Sequence, residues 1–187
     1  MNMNLPSILG VLYGASEILL TIAKRHGQRN KAADAGSLGL IWVVVGASIG
    51  AAFYVAKALP GGAFPDPRLA QVAGLAIFVP GAVLRWYAIF YLGRYFTVDV
   101  RVASDQKVVD TGPYRLIRHP SYTGAFMQFF GLALCIGNAW SVLMVMVPLL
   151  VVFSYRIRVE ERALEQGLGE AYASYRQRTK RLIPFVY

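Results

Sequence analysis

Apolar stretches near the length of a bilayer recur along this chain, and they constrain its fold more than any other feature. They run from about Leu5 to Ala23, Ser37 to Leu59 and Leu69 to Leu92. Two shorter ones follow, from about Ser121 to Ile136 and Ala139 to Tyr155, with Gly137-Asn138 between them. About 20 apolar residues cross the hydrocarbon core as a helix. Inside that core every backbone amide must bond within its own segment, so helices are the economical solution. Hydrophobic residues make up 56% of the 187 residues and charged residues 16%, too apolar for an ordinary soluble domain. The expected fold is therefore an all-α integral membrane protein of about five transmembrane helices, forming a single membrane domain over residues 1–187. Residues 1–92 supply three spans, and 93–187 supply a polar loop, a helical hairpin and a C-terminal tail. The first segment lacks a basic start and is followed by charges, so it is expected to be a span rather than a cleaved leader.

The charges between the spans give an orientation. Lys24, Arg25, Arg29 and Lys31 follow the first span. Arg94, Arg101, Lys107, Arg115 and Arg118 follow the third, and Arg156, Arg158, Arg162, Arg176, Arg178, Lys180 and Arg181 follow the fifth. The alternate connections carry only Lys57 and Arg68, and the hairpin tip carries no charge. The positive-inside rule places all three basic regions in the cytoplasm and the N-terminus outside. The net charge of +9 then points to anionic membrane lipid rather than nucleic acid as the partner. Cys135 is the only cysteine, and His26 and His119 are the only histidines. No metal-ligand cluster is visible in that inventory, so no metal is expected. The small residues of the second segment, rich in Gly, Ala and Ser, are expected to give close helix packing. Pro80 is expected to kink the third.

Two charges lie inside the apolar segments. Glu17 precedes Lys24 by seven residues and Arg85 precedes Leu92 by seven, so both sit about 10–12 Å inside the same boundary. Unpaired charge is costly there. Glu17 and Arg85 either pair across two helices or line a polar cavity that takes substrate.

The chemistry is expected in the polar stretch Lys107–Gly124, KVVDTGPYRLIRHPSYTG. Gly112-Pro113 forces a turn. Pro120 suits the first turn of a helix, which puts His119 at its mouth. Free N–H groups at such a mouth favour an anion; a basic loop resting on lipid headgroups is the plainer alternative. Beyond the fifth span, Arg156 and Glu160 share a helix face at i and i+4. They either pair with each other or meet separate ligands. Leu164, Leu168, Tyr172 and Tyr175 form an apolar stripe expected to serve packing. Arg181-Leu182-Ile183-Pro184 reads as a segment folding back on the body.

GPYRLIRHPSYTG, a short apolar hairpin and then RIRVEERALEQGLGEAYASYRQRTKRLIPFVY together resemble the isoprenylcysteine carboxyl methyltransferase family. Its members are integral membrane enzymes that use S-adenosylmethionine. The resemblance covers about residues 93–187. It implies a cytosolic cofactor pocket between the loop before the hairpin and the C-terminal helix. Gln106, Lys107, Val108, Val109, Tyr114, His119, Pro120, Ser121, Tyr122 and Glu160 then fall at cofactor-binding positions. Arg156 falls at the position of the arginine that binds the acceptor. Position 106 is Gln where some eukaryotic members carry His. The implied reaction moves a methyl group to a lipophilic acceptor reached from the bilayer, foremost a carboxylate. A carboxylate is already ionised at neutral pH and needs no general base. Other acceptors are a lipid amine, with Glu17 or Glu161 as base, or a small thiol. A third course is an NADPH-dependent reductase related to sterol reductases, with Arg115 and Arg118 on the extra phosphates.

Overall fold

The computed structural model describes residues 4–24 and 36–183. The first basic connection, with Arg25, His26, Arg29 and Lys31, and the segment from Pro184 onward lie outside the described residues. The described residues form α1 (Leu5–Lys24), α2 (Ser37–Ala58), α3 (Pro67–Leu92), α4 (Pro120–Ile136), α5 (Ala139–Leu168) and α6 (Glu170–Arg178). Among them the only β-type pairings are two isolated bridges. The boundaries follow local chemistry. Asp66 caps α3 by accepting from the Arg68 and Leu69 amides, and Pro67 occupies its first position. Gly137 closes α4 at φ 83°, where a Cβ would be strained. Asn138 then caps α5 by accepting from the Trp140 and Ser141 amides.

Helices α1, α2, α3 and α5 are long and apolar enough to cross a membrane. Helix α4 has 17 residues, a rise of only about 25 Å. It is the most enclosed of the bundle and packs against α1, α2, α3 and α5. Phe129, Leu132 and Ala133 are almost fully buried on it, together with Val145 and Leu149 of α5. Helix α5 does not stop at Tyr155 but runs unbroken for 30 residues, about 45 Å. That is longer than a hydrocarbon core of about 30 Å, and the second half of α5 carries the charged residues Arg156, Arg158, Glu160, Glu161, Arg162 and Glu165.

The closest approach in the bundle is between α3 and α4, and glycine makes it possible. A Cβ on Gly81 would lie 2.8 Å from the Gly124 carbonyl oxygen, and one on Gly124 would lie 2.6 Å from that of Gly81. Gly74 meets Gly131 in the same way two helical turns away. The expectation that the small residues of α2 give close packing is met in part: Ala52 and Ser48 are buried, and Ser141 of α5 donates to the Ala52 carbonyl at 2.7 Å. Gly39, Gly46 and Gly50 face open space, and α2 packs on α5 through Val45, Ser48 and Ala52 with Ile41, Val44 and Ile49 around them. Composition alone cannot show which small residues face a partner.

The two ends of the bundle differ. At one, the chain after α2 is tied to the hairpin tip. Asn138 donates to the Leu59 carbonyl, and the Phe64 amide donates to that of Gly137. At the other, the chain between α3 and α4 folds over the helix ends, and α6 with the segment behind it closes from the far side. The Arg118 and His119 amides donate to the Lys180 and Arg181 carbonyls, and the Lys180 amide donates to that of Leu116. Thr123 adds a hydroxyl bond to the Leu182 carbonyl. The chain through Ile183 thus folds back onto the mouth of α4, as the sequence suggests.

Candidate functional site

That second end encloses a cavity. Its non-atom space is about 1440 Å³, solvent at the mouth included. Helix α1 contributes Tyr13, Glu17 and Leu20, and α2 contributes Leu38, Ile41, Trp42 and Val45. Arg85 comes from α3, and His119, Ser121 and Tyr122 from the start of α4. The connecting loop adds residues 95–102, Gln106, Lys107, Val108, Val109 and Tyr114. Phe153, Arg156, Glu160, Ala163, Leu164 and Leu168 line it along α5, and Tyr172 and Tyr175 along α6. Every site residue expected from the sequence therefore lines one space, except Pro120. That ring is almost fully buried behind the lining, where it serves the first turn of α4.

Glu17 and Arg85 form a bidentate pair. Arg85 Nε and Nη2 each donate to Glu17 at 2.7 Å, and Nη1 donates to the Ser121 carbonyl at 3.1 Å. A planar guanidinium can fork onto a carboxylate and still reach a third acceptor, which an ammonium does less well. The pair thus joins α1, α3 and the first turn of α4, and it does so in the cavity wall. The two readings left open by the sequence are compatible.

The mouth of α4 is occupied by the chain itself. The Tyr122 and Thr123 amides turn back onto the His119 carbonyl. The anion that meets this region is Glu161. Arg118 Nε donates to its Oε1 at 2.9 Å, Arg181 Nε and Nη2 reach Oε2 at 3.0 and 2.9 Å, and His119 Nε2 lies 3.4 Å from Oε1. Arg118 also donates to the Arg176 and Thr179 carbonyls. Glu161 is 4% exposed, so it is a buried hub that fastens the tail to the RHP turn. It does not line the cavity and is unsuited to act as a base there. Arg118 is committed to the same hub, and Arg115 points outward beside Asp110 and Arg178. Of the two arginines expected to serve the phosphates of a reductase cofactor, Arg115 is placed elsewhere, whereas Arg118 touches the cavity wall with its guanidinium engaged by the hub.

Arg156 is 3% exposed, and its Nη2 donates to the Val98 carbonyl at 2.6 Å. Tyr122 stands beside both Arg156 and Glu160. These three groups form the polar floor of the cavity. On one side lies the apolar lobe between α1 and α2. On the other, Leu164, Leu168, Tyr172 and Tyr175 form a largely apolar wall opposite the loop. That stripe was expected to serve packing alone, but it lines the cavity too. Helical spacing finds the stripe and cannot say whether its partner is protein or open space. Val98, Val100 and Val102 are lining residues that no motif announces. Tyr114 and Tyr175 build the rim: Tyr175 donates to the Tyr114 carbonyl, and Tyr114 donates to that of Ala88. Burial holds both phenols well above their ordinary range, so they remain neutral donors.

Four apolar membrane-length helices around a cavity that is largely apolar with a charged portion define an integral membrane protein built to hold a ligand. Comparison gives the class a family. The model of the isoprenylcysteine carboxyl methyltransferase (ICMT) family matches residues 74–166. A probable protein-S-isoprenylcysteine O-methyltransferase of Oryza sativa subsp. indica is 30% identical over 181 residues, which are 94% of this chain and 92% of that protein. Protein-S-isoprenylcysteine O-methyltransferase B of Arabidopsis thaliana is 36% identical over 115 residues, 60% of this chain and 58% of its own. Among solved structures, the eukaryotic intramembrane Ras methyltransferase ICMT superposes with a TM-score of 0.64 at 28% identity. That match covers 78% of this chain and 52% of the other, so this chain spans about half its length. The chain belongs to the ICMT family and is a membrane methyltransferase.

Proposed function

We propose that this protein transfers a methyl group from S-adenosylmethionine to the carboxylate of a prenylated cysteine. The relatives' names state that acceptor, and the cavity is suited to it. The observation that carries the reading is the shape of one space. Arg156, Glu160 and Tyr122 form its polar floor, with an apolar lobe lined by Leu20, Leu38, Ile41, Trp42 and Val45 on one side and the loop over residues 106–109 on the other. Helix α1 packs on α4 whereas α2 packs on α5, so the lobe between them faces the bilayer. A prenyl chain fits that lobe, with its carboxylate at Arg156.

The residues present fit a nucleoside donor. Glu160 lies on the cavity one helical turn beyond Arg156, placed to accept from ribose hydroxyls or an ammonium. The loop residues Gln106, Lys107, Val108 and Val109 face it, with Tyr114, His119, Ser121 and Tyr122 on the α4 side. Tyr172 lines the same space from α6. S-adenosylmethionine supplies an electrophilic methyl group bonded to a sulfonium.

Transfer to a carboxylate oxygen needs no proton removed, since the acceptor is ionised at neutral pH. The chain's part is to hold the acceptor in line and exclude water. Arg156 can fork onto the carboxylate, and its bond to Val98 couples that grip to the covering loop. Arg156 is thus the catalytic group in the sense of touching the reacting carboxylate. Glu17 and Arg85, wedged against the Ser121 carbonyl, shape the inner wall on which the acceptor rests. By the positive-inside rule the cavity end is cytoplasmic. Arg94, Arg101, Lys107, Arg158 and Arg162 lie there, against Lys57 and Arg68 at the other end. A fifth crossing by α4 completes that topology.

Calorimetry on the purified protein tests the cofactor. S-adenosylhomocysteine is expected to bind and NADPH not to; the reverse would return the reductase reading, which the comparisons do not favour.

A further inference from the structure

The apolar lobe has a blind end. Three side chains belong both to the cavity lining and to the packed apolar core: Tyr13 of α1, Val45 of α2 and Phe153 of α5. One helical turn deeper the residues belong to the packed interior. Leu9, Ser48 and Leu149 are buried there and are not among the lining residues. Phe129 closes the end from α4. Its ring lies 4.6 Å from that of Tyr13 and 6.3 Å from that of Phe153, and it is 1% exposed. An interior packed in this way admits extra atoms only at a cost. Glu17 and Arg85 stand in the wall above, but their charges meet each other and the Ser121 carbonyl.

The depth of the lobe follows from helix register. Helices α2 and α5 run in opposite directions, and Ser141 donates to the Ala52 carbonyl at 2.7 Å where they meet. Val45 lies seven residues from Ala52 toward the site, level with about Pro148 of α5 and so eight residues short of Arg156. At about 1.5 Å per residue, the lobe reaches about 12 Å below Arg156. The Arg156 guanidinium leans the other way, onto the Val98 carbonyl of the loop. An extended chain advances about 3.6 Å over three bonds, so an isoprene unit with four bonds in line takes roughly 5 Å. About two and a half units fit below Arg156. A third is completed beside the guanidinium, and a fourth has no room.

We propose that Val45, backed by Tyr13 and Phe153, sets the length of the isoprenoid this protein accepts. The end of a farnesyl group stops against Val45, and a geranylgeranyl group overruns it. The proposal rests on the prenylcysteine reading above and adds which chain is taken. Val45 is the smallest of the three residues, so a change there alters the depth with least disturbance to the neighbouring rings.

The test compares kcat/KM for N-acetylated geranyl-, farnesyl- and geranylgeranylcysteine in one detergent. The wild type should favour farnesyl over geranylgeranyl by about tenfold or more, the discrimination an apolar pocket exerts against a surplus group. Val45→Phe fills the blind end and should move the preference from farnesyl toward geranyl by about tenfold. Val45→Ala deepens it and should move the preference toward geranylgeranyl by about as much. Ratios within one variant cancel any loss of folded protein, and Val45→Ala decides the matter where Val45→Phe does not fold. Equal rates on farnesyl and geranylgeranyl in the wild type, or ratios that neither variant moves, would overturn the proposal; the chain end would then leave between α1 and α2. A wild type that binds S-adenosylhomocysteine yet methylates no prenylcysteine would remove the acceptor reading itself, and this proposal with it.

Discussion

Replacing Gly124 by Ala adds one methyl group at the close contact between α3 and α4 that lies nearer the site. That Cβ would lie 2.6 Å from both the Gly81 carbonyl oxygen and the Arg85 amide nitrogen, where ordinary contact begins at 3.4 Å. The obstructing atoms are backbone, so no rotamer relieves them, and the helices must part by about 0.8 Å. Overpacking of this kind costs about 1–3 kcal/mol. The better helix propensity of Ala returns about 0.5–1 kcal/mol. Gly124 lies one turn from His119, Ser121 and Tyr122, and Arg85 bonds to the Ser121 carbonyl. The shift is therefore delivered into the site. A misplacement near 1 Å costs up to about a hundredfold in rate. The matched control is Gly46→Ala on α2, where the added methyl meets nothing within 4 Å. Thermal unfolding and methyl transfer are measured on both variants in the same detergent. The propensity gain is common to both variants, so Gly124→Ala should be less stable than the control by about 1–3 kcal/mol and slower by ten- to about a hundredfold. Equal melting temperatures and equal rates would refute the close-packing argument.

Other perturbations probe separate parts of the account. Glu17→Gln and Arg85→Gln should each destabilise, and the double mutant should lose less than their sum; additive losses would argue against a direct pair. Glu161→Gln strips the counter-ion from the buried Arg118. It should lower stability by about 3 kcal/mol and loosen the tail, seen as faster proteolysis after α5; wild-type resistance would show that the hub does not hold the tail. Arg156→Lys keeps the charge without the fork. S-adenosylhomocysteine affinity should stay near normal while turnover falls sharply, and normal turnover would remove the bidentate role. Cys135 is buried, so cysteines placed at Asn4 and Ser174 report topology by impermeant labelling. They should label from opposite sides, and labelling from one side would remove the five-span arrangement.

Much of this architecture was legible in the residues because membrane helices are written in apolar runs, and caps in Pro, Gly, Asp and Asn. The hairpin at Gly137-Asn138 and the Glu17–Arg85 partnership follow from length, depth and the cost of lone charge in lipid. The extent of α5 was hidden, since Arg156–Leu168 has neither a break nor an apolar run to show that the span simply continues. The α3–α4 seam was hidden because glycine content identifies no facing partner: α2 also carries glycines, and they meet nothing. RHPSY and the downstream Glu-Glu pair marked the site. However, which of Glu160 and Glu161 faces the cavity depends on about 100° of helix rotation and on the arginines that return from the tail. Tyr172 shows the same limit: its stripe is visible in spacing, whereas the cavity it lines is visible only in three dimensions.

The most direct measurement is isotopic methyl transfer by the purified protein, from S-adenosylmethionine labelled in the methyl group to an N-acetylated farnesylcysteine. A methyl ester releases its label as volatile methanol in alkali, whereas an N-methyl or S-methyl group does not. The account predicts alkali-labile label in the lipid product, lost in Arg156→Lys. Alkali-stable label, or no transfer from a protein that binds the donor, would contradict it.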